Sequence, residues 1–415
     1  MCIRDSRVRG PIVTIQPMKK EKIRWFLSPS KSHMIRWILL ASQSEGKTEI
    51  VFSGEPGDDI YSMASCIEKM GIKIEKNSNS WTVFGKGPKG FKHTNEILHC
   101  GNSGTTMRFL IPQVACFDLP ITLDGDWTLR NRHLSSSSES ITNLGATIQY
   151  DNERKGAPYT ICGPISPGTI ELDTSKSSQS LSALMLVGPQ MSGPIEIQTT
   201  GESVSNRHSE LTFNIAKLTG STASWSNVSN SITIYPWIPI CPDKITIPPD
   251  LSLAAFGLVA AKAHDSPLEI INPTPPEEGI GSELIYEIIE QQESGPMDLD
   301  LRDCNDLLPA LSAFLAMGPG GRIRNASHAQ FKESNRIKKT VEMLECFGIN
   351  IEAQEDGIKT KGGQIPKMPE KVVNVYADHR LFMTAACIAS KTGGSITDQD
   401  IWKVTDPLFP EQIGF

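Results

Sequence analysis

Along the chain, a stretch with helical period ends in glycine, and a short run that alternates polar and apolar residues follows. This pattern occurs four times: Glu68-Lys69-Met70-Gly71-Ile72-Lys73-Ile74, Thr142-Asn143-Leu144-Gly145-Ala146-Thr147-Ile148, Ala216-Lys217-Leu218-Thr219-Gly220-Ser221-Thr222 and Leu344-Glu345-Cys346-Phe347-Gly348-Ile349-Asn350-Ile351. A glycine just past a helix end takes the left-handed conformation at little steric cost, so each site predicts a helix C-terminus followed by a strand. The first three glycines stand about 75 residues apart. That interval is too long for a solenoid and suits duplicated α/β subunits.

Between these points lie stretches rich in Ala and Leu: 35–41, 106–114, 181–187, 254–261, 310–317 and 383–389. They are apolar around most of the helical circumference, which predicts helices inside a domain rather than on its skin. With 415 residues the chain is too long for one ordinary core, so two domains are expected. The proline pair in Ile245-Thr246-Ile247-Pro248-Pro249-Asp250 is a candidate crossing between them.

Charge and cysteine usage narrow the function. The net charge of −7 argues against a nucleic-acid binder, so any anion-binding site must gather its positive charge locally. No apolar run approaches the roughly 20 residues of a membrane span. Nine cysteines form no CxxC pair and make a poor disulfide framework, which places the chain in a reducing cytoplasm. Residues 1–7 carry charge without an apolar region behind it, and are expected to be a disordered or extraneous leader rather than a signal.

The candidate chemistry sits at helix starts. Ser30-Lys31-Ser32-His33-Met34-Ile35-Arg36 leads into a helix, where free N–H groups and the positive dipole end favour anions. Lys31 adds a point charge, Ser32 a hydroxyl and Arg36 a forked donor one turn on. Gly101-Asn102-Ser103-Gly104-Thr105-Thr106-Met107-Arg108 again puts glycines and hydroxyls before a helix, without the ending of a Walker loop. Asp173-Thr174-Ser175-Lys176-Ser177-Ser178-Gln179-Ser180 supplies neutral donors just before an apolar helix.

In Lys332-Glu333-Ser334-Asn335-Arg336 the two cations share a helix face, and Glu333 can pair with Arg336. Asp378-His379-Arg380 and Asp303-Cys304-Asn305-Asp306 complete the set. Each string alone is also what a plain cap or a solvated helix face looks like. Together they describe several anion-gripping helix starts and two isolated acids, Asp306 and Glu333. That combination suits a centre where phosphate and carboxylate groups are held and protons are moved.

These strings also carry a family resemblance. SKSHMIR (30–36), GNSGTTMR (101–108), RNRH (130–133), SKSSQSLSALML (175–186), DLSLAAF (250–256), DCNDLLPAL (303–311), KESNR (332–336) and ADHR (377–380) stand in the order found in the 5-enolpyruvylshikimate-3-phosphate synthases. The resemblance runs from about Ile12 to Phe415. It implies a two-domain inside-out α/β barrel, each domain three βαβαββ repeats with buried helices and outer sheets. Residues 1–28 with 247–415 would form the first domain and 29–246 the second, with ligands in a cleft that closes to exclude water.

The implied reaction transfers the enolpyruvyl group of phosphoenolpyruvate to the 5-hydroxyl of shikimate 3-phosphate, with no metal or organic cofactor. The implied catalytic residues are Asp306, Glu333 and Lys31. For shikimate 3-phosphate the implied ligands are Lys31, Ser32, Arg36, Ser177, Ser178, Gln179, Ser205, Asp306 and Lys332. For phosphoenolpyruvate they are Lys31, Gly104, Arg132, Gln179, Arg336, Arg380 and Lys403.

The partners would be small molecules only, with neither nucleic acid nor membrane, and the chain would act as a monomer. Several positions depart from the family's pattern: Asn335 replaces an aspartate, His208 a tyrosine, His133 a proline and His328 an asparagine found in some members. Val404 stands where the family has a phosphoenolpyruvate-gripping lysine; either neighbouring Lys403 reaches that site in its place, or Lys403 points to solvent and Arg336 and Arg380 hold the ligand without it. Two other readings stay open. One is transfer to UDP-N-acetylglucosamine, whose family lacks the KESNR-type string. The other is a non-catalytic relative that only binds an anion.

Overall fold

The computed structural model describes residues 11–132, 134–151, 155–226, 228–291 and 295–415. The expected leader at 1–7 and His133 lie outside the described residues. The chain divides into two compact units. One contains the described residues up to Leu27, with Leu251–Pro273 and Leu284–Phe415; the other contains Ser28–Asp250 with Thr274–Glu283.

The second unit holds three four-stranded sheets of one design. In each, a first strand runs parallel to a second, and a hairpin is added antiparallel beside it. Gly168–Asp173 pairs with Ile195–Thr200, then Ser231–Ile234, then Ser224–Ser226. Leu98–His99 pairs with Ile121–Asp124, then Tyr159–Cys162, then Thr147–Tyr150. Lys244–Thr246 pairs with Glu45–Val51, then Ser80–Lys86, then Lys73–Lys76. A helix follows each of the first two strands, which yields βαβαββ. In the third sheet the leading strand arrives from the far end of the unit, so that repeat is closed by residues distant in sequence.

The first unit repeats the design once in full. Met297–Asp300 pairs with Gly321–Arg324, then Ile358–Thr360, then Ile351–Ala353. Its other two described sheets have two strands each: Leu268–Ile270 with Ile23–Trp25, and Val13–Ile15 with Gly394–Ile396.

Burial explains the layering. Every residue of helix Leu308–Met317 is buried, as is nearly all of His379–Thr392. The strands alternate, as in Gly168–Asp173, where Ile170 and Leu172 are buried between exposed neighbours. Helices apolar all round must sit inside, and half-polar sheets must cover them. All six apolar stretches read from the sequence are helices.

The four marker glycines have φ of 88°, 105°, 98° and 71° at Gly71, Gly145, Gly220 and Gly348. A Cβ at Gly145 or Gly220 would meet nothing within 4 Å, so conformation rather than space demands glycine there. After Gly220 the strand starts only at Ser224, because Ser221 Oγ accepts from Ala223 N and holds a turn.

The segment Thr274–Glu283 was expected with the rest of 247–415, yet it packs on the other unit. Three contacts hold it there. Thr274 Oγ1 donates to Pro249 O at 2.9 Å, His33 Nε2 meets Glu278 Oε2 at 2.9 Å, and Arg207 pairs with Glu283 at 2.7 Å. The chain therefore passes between units four times.

Candidate functional residues in each unit

In the second unit, three helix starts carry the expected residues. Helix Lys31–Ser42 begins with Lys31, whose Nζ donates to Asp59 Oδ2 at 2.8 Å. Asp59 lies in the first turn of helix Asp58–Lys69 and is itself buried. Arg36 is 1% exposed and makes no ion pair among the described residues. Its Nη1 donates to Ser32 O at 2.7 Å and its Nε to Thr212 Oγ1 at 2.6 Å. Its Nη2 reaches His208 O at 3.1 Å and Ser182 Oγ at 3.4 Å, and the guanidinium lies 5.0 Å from the Phe109 ring centroid. Burial lowers its pKa to about 9, which leaves it cationic at neutral pH.

Ser103 caps helix Gly104–Val114 by accepting from Thr106 N at 3.1 Å. One turn on, Arg108 Nη1 donates to Gln179 Oε1 at 2.7 Å, and Gln179 Nε2 donates to Thr105 Oγ1 at 2.9 Å. Gln179 opens helix Gln179–Val187, preceded by Ser177 and the buried Ser178. Arg132 Nη2 donates to Asn102 Oδ1 at 2.9 Å, and Asn102 in turn donates to Asp126 and Thr128. Ser205 precedes helix Asn206–Leu218 with φ 53°, a conformation uncommon for serine and typical of residues held for a purpose. The sequence-predicted Lys31, Ser32, Arg36, Gly104, Arg132, Ser177, Ser178, Gln179 and Ser205 thus all belong to one unit.

In the first unit the centre is Arg336, 1% exposed and the first residue of helix Arg336–Cys346. Its Nη1 donates to Asp306 Oδ1 at 2.6 Å and its Nη2 to Glu333 Oε2 at 2.5 Å. Its Nε donates to Asp378 Oδ2 at 2.9 Å. Burial alone would lower its pKa, but Asp378, Glu333 and Asp306 outweigh that and raise it. Asp306 lies in the turn Asn305–Leu307 ahead of helix Leu308–Met317. It also faces Lys332 Nζ and Arg380 Nη2, each at 3.6 Å. Arg380 is 2% exposed, bonded to Ser252 Oγ at 3.1 Å, while its Nε has no hydrogen-bond partner among the described residues. Asn335 accepts from Lys338 N and caps the Arg336 helix, a task that Asn and Asp perform alike.

Lys403 stands apart. Its Nζ pairs with Asp400 at 3.1 Å, and its side chain is half exposed. Val404, the next residue on the turn Ile401–Val404, is the buried one. Arg108 and Asp378 stand in the motifs with no implied role, yet each holds a site side chain, Gln179 and Arg336. Arg108 was findable, because it stands four residues after Gly104 on the helix face that opens with it. Asp378 was findable only as a helix cap that accepts from Arg380 N, since Arg336 and Ser334 meet it only in the fold.

Comparison with known proteins follows the same lines. The family model of EPSP synthase (3-phosphoshikimate 1-carboxyvinyltransferase) matches residues 22–413. The 3-phosphoshikimate 1-carboxyvinyltransferase of Bacillus pumilus is 28% identical over 398 residues, covering 89% of this chain and 91% of that protein. That of Methanocorpusculum labreanum is 27% identical over 369 residues, covering 85% of each. Among solved structures, EPSP synthase from Acinetobacter baumannii superposes with a TM-score of 0.74 at 23% identity over 97% of both chains. The enolpyruvyl transferase NikO from Streptomyces tendae gives 0.72 at 13% identity, covering 98% of this chain and 97% of that one. At such identities the two structures establish the fold, which is the two-domain inside-out α/β architecture.

Proposed function

Because the chain belongs to the EPSP synthase family, we propose that it transfers the enolpyruvyl group of phosphoenolpyruvate to the 5-hydroxyl of shikimate 3-phosphate and releases phosphate. The observation that supports this most is the pair of carboxylates, Asp306 and Glu333, that share Arg336. One serves as base and the other carries a second proton, as addition followed by elimination requires.

Asp306 takes the proton of the 5-hydroxyl as that oxygen attacks C2 of phosphoenolpyruvate. Glu333 or Lys31 delivers a proton to C3. The tetrahedral adduct then returns a C3 proton to Glu333 or Lys31 and expels phosphate, which re-forms the vinyl double bond, while Arg336, Arg380, Arg132 and the Gly104 helix start hold the phosphoenolpyruvate anion. Ser32, Ser177, Ser178, Gln179, Ser205 and Lys332 serve shikimate 3-phosphate. Arg36 serves it from beneath, by fixing Ser32 O and, through His208 O, the helix start after Ser205. Arg336 already donates to three carboxylates, so an incoming phosphoenolpyruvate carboxylate competes with them for it. Binding and proton transfer are coupled at that residue.

On this reading the chain works as a monomer in the cytoplasm on small molecules. No disulfide joins the described cysteines, in keeping with a reducing compartment. Among the described residues no helix is long and apolar enough to cross a membrane.

The test is phosphate release from phosphoenolpyruvate with shikimate 3-phosphate or UDP-N-acetylglucosamine as acceptor. Release with shikimate 3-phosphate alone is expected. Release only with the UDP-sugar would move the chain to the sibling reaction, and binding of both substrates without release would make it a non-catalytic relative.

A further inference from the structure

Tyr376 and Ala377, immediately before Asp378, have φ of 56° and 53°. Two successive left-handed residues, neither glycine nor asparagine, persist only where the surroundings hold them. Four restraints do so. Tyr376 N donates to Asn374 Oδ1 at 2.9 Å, and Ala377 N to Asp398 Oδ2 at 3.1 Å. Tyr376 Oη donates to the Glu342 carboxylate, and Lys339 Nζ lies 4.1 Å from the centroid of the Tyr376 ring. Lys339 also pairs with Glu342 at 2.8 Å. Burial would raise the Glu342 pKa, but its bonds from Lys339 and Tyr376 lower it, so it stays an acceptor.

Lys339 and Glu342 belong to the helix that Arg336 opens. That helix is thus joined to the 376–378 turn twice, by Arg336 to Asp378 at its start and by Lys339 and Glu342 to Tyr376 further along. We propose that Tyr376 is a positioning residue of the reaction: with Lys339 and Glu342 it holds the left-handed turn that brings Asp378 to Arg336, and so Arg336 to Asp306 and Glu333. The proposal rests on the enolpyruvyl transfer proposed above. It predicts that Tyr376 acts on phosphoenolpyruvate and on turnover without touching either substrate.

The experiment measures phosphate release at varied phosphoenolpyruvate and shikimate 3-phosphate for Tyr376→Phe and Tyr376→Leu, each with and without Ala377→Gly. Melting temperatures are taken alongside. Tyr376→Phe keeps the ring over Lys339 and loses the bond to Glu342. It should lower kcat/KM for phosphoenolpyruvate about tenfold, with the KM for shikimate 3-phosphate within about twofold, and Tyr376→Leu should lose more. Glycine occupies the left-handed region freely, so Ala377→Gly should restore at least about threefold of the Tyr376→Phe loss. A clamp that only stabilises the fold predicts instead that both substrates' parameters fall together, with no rescue, and that result overturns the proposal. So does kcat/KM within about twofold of wild type in both tyrosine variants.

A second readout does not depend on turnover. The Nε–H resonance of Arg336, held by Asp378, should shift or broaden in Tyr376→Leu. An unchanged resonance overturns the proposal even if the wild-type protein proves to catalyse nothing, the outcome that would instead sink the assigned reaction.

Discussion

Asp306 receives Arg336 at 2.6 Å and faces two further cations, an arrangement that costs chemistry rather than folding if the carboxylate is removed. Asp306→Ala should slow turnover about 100-fold or more while calorimetry still detects shikimate 3-phosphate. Turnover near wild type would take Asp306 out of the mechanism. Gly104 tests the second unit. A Cβ there would stand 2.9 Å from Arg108 Nη1 and 3.1 Å from Arg132 Nη1, both ends of flexible side chains. Gly104→Ala should therefore raise the KM for phosphoenolpyruvate severalfold with little change in melting temperature; an unchanged KM would separate those arginines from that substrate. For Lys403 the expectation is the reverse. A 3₁₀ turn rotates successive side chains by about 120°, so with Val404 directed inward its neighbour faces solvent and Asp400. Lys403→Met should leave the KM for phosphoenolpyruvate within about twofold, and a clear rise would mean that the ammonium leaves Asp400 to reach the substrate.

At the scale of elements, the glycine that ends each repeat helix is the most portable feature. At Gly145 and Gly220 the space beside Cα is open, so Gly→Ala there measures backbone strain alone. Each change should cost about 1 kcal/mol, read as a shift in denaturant midpoint at constant slope. No shift would mean that the helix end moves to accommodate alanine.

These helix ends, and the six apolar helices, were legible because they obey local rules: a φ requirement and a 3.6-residue period. Much of the site was legible for the same reason, since helix starts announce themselves by their capping residues. What escaped depends on residues far apart in sequence. Asp378 meets Arg336 across 42 positions, and Arg36 is enclosed by Ser182, His208 and Thr212 from two other helices. The return of Thr274–Glu283 to the other unit hangs on pairs such as His33 with Glu278, for which neither partner carries a local signal.

For the molecule as a whole, two buried histidines make stability depend on pH. His264 bonds Ser390 Oγ at 2.9 Å, and burial, helped by Lys391 and Lys20, lowers its pKa to about 4. His328 is 2% exposed, and neither ring nitrogen is bonded among the described residues. Burial and Lys332, opposed by Asp306, lower its pKa to about 3. In the unfolded chain both titrate near 6.5, so below that pH the unfolded state binds protons that the folded state refuses. Stability is complete above about pH 6.5 and declines from there toward pH 4. The melting temperature should fall between about pH 7.5 and 5, and fall less in His264→Gln. A flat profile would show that these rings accept protons in place.

The pairing of Val13–Ile15 with Gly394–Ile396 also has a consequence for how the protein is made. The second unit has all its parts once Glu283 has left the ribosome, whereas this sheet of the first unit must wait for Ile396. At about 5–20 residues per second the interval is roughly 6–20 s. During that time Ile15, which is 1% exposed in the finished protein, is an uncovered apolar residue on a nascent chain. The first of the described strands is thus among the last to find its partner, and chaperones that cover nascent chains have a long opportunity there.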